Sequence, residues 1–195
     1  LSFFAKSDQL VNTNLTERFS KDIEILSDDM LIYVKNFYNF QVMIEDIHNQ
    51  TYEKLLFTYI DDHNELERLI NGVNEIKSIN KKTLWAKKWI DDKESNFIIR
   101  LIAFAALEGI FFSSSFCFIY WIKEKNILNG LTSSNIFIAR DEGMHRDFAI
   151  ELFNQLKNKE EFSEYYIGIN KIIKEIISEA VELEKEFIKD AFNNK

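Results

Sequence analysis

The stretch LIAFAALEGIFFSSSFCFIYWI, Leu101–Ile122, holds twenty-two residues and a single charge, Glu108, near its middle. By length and polarity it could cross a bilayer. A carboxylate at the centre of such a span costs roughly 2.5–3.5 kcal/mol on insertion scales, and no other segment has the character of a span. A helix that is apolar on every side also serves as the central helix of a water-soluble bundle, because other helices surround it. That second reading is adopted, and it leaves a carboxylate in the core to be explained.

The rest of the 195 residues point the same way. There is no proline, and there are five glycines, eighteen phenylalanines and 46% hydrophobic residues. A typical chain of this length carries roughly ten prolines and more than ten glycines, which all-β folds spend on turns. Disordered and collagen-like classes are excluded by the apolar content, and a disulfide scaffold by the lone Cys117. A net charge of −8 argues against DNA or anionic membrane as partner. The nearest basic cluster, Lys81, Lys82, Lys87 and Lys88 around Trp85 and Trp89, reads as the wet face of a helix. One cysteine and no signal peptide point to a reducing interior, so a cytoplasmic location is expected.

Apolar periodicity predicts helices over 30–60, 64–79, 81–92, 96–125, 132–158 and 159–192, with Ser27, Asp28 and Asp29 as N-cap candidates and a turn at Asn129-Gly130. At least one more helix lies in the first thirty residues, its limits blurred by Asn12, Thr13 and Asn14. No linker or repeat divides the chain, so residues 1–195 are expected to form one all-α bundle domain. Trp85, Trp89 and Trp121 are expected at core or boundary positions, and His63 in an exposed loop.

Two of the three histidines follow a glutamate by three residues, in Glu45-Asp46-Ile47-His48 and Glu142-Gly143-Met144-His145. That offset puts carboxylate and imidazole on one helical face. Two such pairs, with Glu108 in the apolar helix between them, match a two-metal carboxylate site in a four-helix bundle. Asp8 is the candidate fourth carboxylate. It precedes Glu45 by 37 residues and Glu108 precedes Glu142 by 34, which suggests a pseudo-twofold arrangement. Four buried carboxylates need compensating cations, and two divalent ions supply them. Imidazole with carboxylate suits iron or manganese. The opposing possibility is that these acids are exposed or salt-bridged and the histidines merely satisfied.

The stretches Phe3–Asp8, Glu45–Tyr52, Phe104–Phe112 and Ala139–His145 closely resemble the small, radical-generating subunit of class I ribonucleotide reductase, especially its eukaryotic form. The likeness runs through nearly the whole chain, including Trp85–Ile90 and Glu179–Phe187. The resemblance implies a ferritin-like helical bundle with a di-iron carboxylate site. Asp8, Glu45 and His48 would bind one iron and Glu108, Glu142 and His145 the other, with manganese as a substitute metal. Tyr52 matches the residue that carries a tyrosyl radical. Phe112, Phe116 and Ile138 match its apolar pocket, and Asp141 a residue on the radical-transfer route. The implied activity is that of an oxidoreductase working only with a large catalytic subunit, which uses the radical to reduce ribonucleotides to deoxyribonucleotides. The small subunits would pair as a homodimer or heterodimer.

Tyr52 also follows Glu45 by seven residues and His48 by four, so spacing alone places all three on one face. Two other functions share much of this pattern: a ferritin-like iron oxidase or store, which has no need of Tyr52, and a radical-silent assembly paralogue, which would lack a ligand. Relative to the family, the interval from Asp8 to Glu45 is longer by about six residues, implying an insertion between Phe19 and Phe37. The chain starts at Leu1 rather than Met. It is expected to be a fragment, lacking an upstream tryptophan of the transfer route, downstream helices and a docking tail, and inactive in this form.

Overall fold

A computed structural model describes residues 2–71 and 76–193, and every regular element among the described residues is helical. Two compact units divide the chain, Leu1–Asn80 and Lys81–Lys195.

In the first unit α1 (Ser2–Thr13) runs into a π-helical stretch, Asn14–Phe19, then the short α2 (Ser20–Asp22) and a 3-10 turn, Ile23–Ile25. Asn12, Thr13 and Asn14 do not end the helix. The Thr13 hydroxyl donates to the Gln9 carbonyl at 2.9 Å, and Thr16 to that of Asn12 at 2.7 Å. Hydroxyls that bond back one turn can remain inside a helix. The long α3 (Asp28–Tyr59) takes Ser27 as N-cap, and Asp28 and Asp29 sit where the helix dipole favours negative charge. All but one of its buried residues, Val34, Tyr38, Gln41, Glu45, His48, Tyr52 and Leu55, alternate steps of four and three, and the remaining one, Leu56, follows directly on Leu55. They therefore form one stripe, and α1 packs on α3.

His63 opens α4 (His63–Asn71) instead of lying in a loop. It is exposed, 3.5 Å from Glu67 one turn on. The helix expected over 64–79 passes through residues 72–75, outside the described residues. Next, α5 (Lys77–Asp91) begins before the expected Lys81.

In the second unit the span expected as one helix is α6 (Phe97–Ala106), a π-helical stretch (Leu107–Phe111) and α7 (Ser113–Glu124). Asn96 caps it, its side chain accepting from the Ile99 amide at 3.1 Å. Buried on nearly every side, α6 packs on α8 (Asn129–Lys157) and α9 (Ile169–Asn193). Residues 97–124 are long and apolar enough to cross a membrane, and 56% of their most apolar window is buried inside the protein.

Three expectations are corrected here. The turn before α8 lies at Asn126 and Leu128, both with positive φ, whereas Asn129 and Gly130 already belong to the helix. Residues 159–192 are not one helix: a 3-10 segment, Glu160–Tyr166, is separated from α9 by Gly168 at φ 70°. An L side chain resists that backbone, so glycine is what lets the chain turn. Lys82 is fully buried rather than wet, 2.7 Å from Glu184. Burial pulls its ammonium down to about 8, so it stays charged at neutral pH. Trp85 is buried, while Trp121 is 54% exposed and stacks on Phe118.

Gly168→Ala should lower the unfolding free energy by about 1 kcal/mol, because alanine pays the left-handed penalty at a site with open space around it. Urea denaturation of the two forms measures this.

Candidate metal centre

Glu45 and His48 lie on the buried stripe of α3, and Asp8 comes from α1. All three are at most 2% exposed, and their ligand atoms stand within 4.8 Å of one another. His48 Nδ1 lies 3.3 Å from Glu45 Oε2.

The second unit holds a matching triad. Glu142 and His145 share the buried stripe of α8, with His145 Nδ1 3.4 Å from Glu142 Oε2. Glu108 stands in the π-helical stretch. The ligand atoms of these three also lie within 4.8 Å of one another, and none of the residues is more than 3% exposed.

Each triad offers two carboxylates and one imidazole. Placing two carboxylates side by side out of water is costly unless positive charge joins them. Oxygen donors with one imidazole suit iron or manganese, so the residues present fit a metal ion in each triad. The possibility that these acids are exposed is excluded by their burial.

Tyr52 is 1% exposed, one turn beyond His48. Phe4 of α1 stacks on its ring at 4.8 Å with planes 10° apart. In the second unit Phe112, Phe116 and Ile138 are all buried, and the two phenyl rings lie 6.0 Å apart. Asp141 is half-buried on α8.

Other inward-facing residues escaped the sequence reading. Phe4 is one. Gln41 and Asn135 are buried amides on the ligand-bearing faces of α3 and α8, four residues before Glu45 and seven before Glu142. The signal was available, since a polar residue in register with a buried stripe either has a partner inside or breaks the pattern. Tyr38, seven residues before Glu45, is also buried. Desolvation, helped by the charge of Asp22, holds its phenol proton well above the ordinary tyrosine range.

Comparison with known proteins agrees with this geometry. The family described as ribonucleotide reductase, small chain, matches residues 1–195. The chain is 46% identical over 191 residues to small chain 1 of ribonucleoside-diphosphate reductase from Saccharomyces cerevisiae, covering 98% of this chain and 44% of that one. It is 44% identical over 191 residues to subunit M2 from Danio rerio, covering 98% and 46%. Among solved structures it is similar to the ribonucleotide reductase Rnr4 homodimer of Saccharomyces cerevisiae, with a TM-score of 0.75 and 34% identity, over 94% of this chain and 54% of that one. The fold is thus ferritin-like and all-α. The chain belongs to the small-chain family of ribonucleotide reductase, and it spans about half the length of the curated relatives it matches.

Phe4→Ala removes the ring stacked on Tyr52 and should lower the unfolding free energy by about 3 kcal/mol. Chemical denaturation measures it. A loss of only about 0.5 kcal/mol would be the response of a surface site.

Proposed function

We propose that the protein is the radical-generating small subunit of a ribonucleoside-diphosphate reductase, with both triads in one ferritin-like domain. Asp8, Glu45 and His48 hold one metal ion and Glu108, Glu142 and His145 the other. The observation that carries this reading is the pair of buried triads, each with two carboxylates and an imidazole whose ligand atoms lie within 4.8 Å. Iron is the metal proposed, with manganese as the chemically similar substitute. When bound, the ions supply one-electron redox chemistry with oxygen.

The chain's own residues do the rest. The triads set ligand number and geometry. Tyr52 holds the radical: its phenol gives up one electron and one proton, and burial under Phe4 keeps water and reductants from the ring. Phe112, Phe116 and Ile138 form a buried apolar group within the second unit, and Asp141 lies on the route by which the radical reaches a large catalytic subunit. That subunit reduces ribonucleotides to deoxyribonucleotides.

A second small chain is the other proposed partner. Ile32, Tyr33, Phe40, Met43 and Ile47 are exposed on α3, within an arc of about 100° opposite the ligand stripe. An apolar face of this kind marks an interaction surface, and the similar solved structure is a homodimer. The partner is then an identical chain or a related small subunit. Cys117 is an exposed free thiol, in keeping with a cytoplasmic protein.

Electron paramagnetic resonance after adding ferrous iron and oxygen to the full-length protein tests this function. A tyrosyl signal that disappears in Tyr52→Phe is expected. Absence of the signal, or its persistence in Tyr52→Phe, would overturn the radical assignment.

A further inference from the structure

Glu108 is the one proposed ligand that does not sit in regular α-helix. A π-helical turn carries one residue more than an α-turn, and one residue of register is about 100° of rotation. The direction of the Glu108 carboxylate therefore depends on what keeps Leu107–Phe111 from relaxing into an α-helix.

Two buried charged residues grip the exit of that stretch. Lys82 Nζ donates to the Phe111 carbonyl at 2.6 Å and to Glu184 Oε2 at 2.7 Å. Glu184 Oε1 accepts from the Ser114 amide at 3.1 Å and, at short range, from the Ser114 hydroxyl. Glu184 thus caps the start of α7 from α9, at the helix end where a carboxylate is favoured. The Ser113 hydroxyl donates to the Ile110 carbonyl at 2.7 Å. Aromatic faces enclose the cation: Lys82 Nζ lies 4.2 Å from the centre of the Phe187 ring and 5.1 Å from that of Phe111. Trp85 packs on Phe111 at 5.0 Å and donates to Glu179 at 2.9 Å.

A buried ion pair is a poor source of net stability, since desolvation offsets most of the attraction. This one is spent on a backbone carbonyl and a helix N-terminus, three to six residues after Glu108. We propose that Lys82 and Glu184 are positioning residues: they lock the π-helical stretch and so aim Glu108 at Glu142 and His145. The inference rests on the metal-centre reading above.

The test uses the full-length Lys82→Met/Glu184→Leu double variant, in which no lone buried charge remains, so the fold is retained. In the metal-free protein, amides of residues 110–114 should exchange about tenfold faster than in wild type, with the Glu142–His145 turn unchanged. Under anaerobic titration with ferrous iron, one of the two sites should weaken by about ten- to a hundredfold, with an altered ferrous ligand-field spectrum. A folded double variant with wild-type exchange, affinity and spectrum overturns the inference. If that variant fails to fold, Lys82→Met/Glu184→Gln, which also leaves no lone buried charge and takes the Lys82 hydrogen bond off the Phe111 carbonyl, is read in the same way. Wild-type protein that takes up no iron would overturn the metal centre and this role with it, and the metal-free exchange rates separate that result from loss of the clamp.

Discussion

Like-charged carboxylates held side by side out of water are the constraint on which the rest of this structure depends. Glu108, Glu142, Asp8 and Glu45 are each at most 3% exposed, on helices whose other inward positions are mostly apolar. Positive charge among these carboxylates stabilises such a core strongly. Long helices supply the rigidity that arrangement requires. With no proline, α3 and α8 run for 32 and 29 residues, and each brings a glutamate and a histidine to bear at one point.

Regular helix suffices for the two Glu-x-x-His pairs, because a three-residue step already aligns them. Glu108 is different. Its helix is apolar on all sides and so has no amphipathic stripe to fix its rotation, and the π-helical stretch supplies the aim instead. Lys82 and Glu184 then become understandable as the elements that keep an otherwise unfavourable turn in place. The cost is two charges in the core, placed where they satisfy a carbonyl and a helix end.

Much of this was legible in the sequence. The Glu45/His48 and Glu142/His145 offsets, the lone charge at Glu108 and the rhythm of α3 follow from helical periodicity alone. Breaks in helices were harder to read. Gly168 looked innocuous in a long amphipathic run, yet its positive φ separates a 3-10 segment from α9, and the backbone turns at Asn126 and Leu128 rather than at the adjacent Asn129-Gly130. Lys82 departs from the lysines near it, Lys81 being half-buried and Lys87 and Lys88 exposed. The correcting signal lies in register: Ile79, Lys82, Trp85 and Ala86 share the inward side of α5, as Ile176, Ala180 and Glu184 share that of α9. Opposite charges on two inward stripes are a prediction of a pair. Phe4, stacked on Tyr52, depends on how α1 meets α3, which no local pattern encodes.

The central claim is that the buried triads exist to hold two metal ions. Anaerobic addition of ferrous iron to full-length, metal-free protein, followed by metal analysis and thermal unfolding, addresses it directly. Two irons per chain are expected, with a stabilisation of about 2.7 kcal/mol for each filled site, roughly 5.4 kcal/mol for the two, when free iron is a hundredfold above its dissociation constant. A chain that retains no iron and unfolds at the same temperature with and without it would contradict the account.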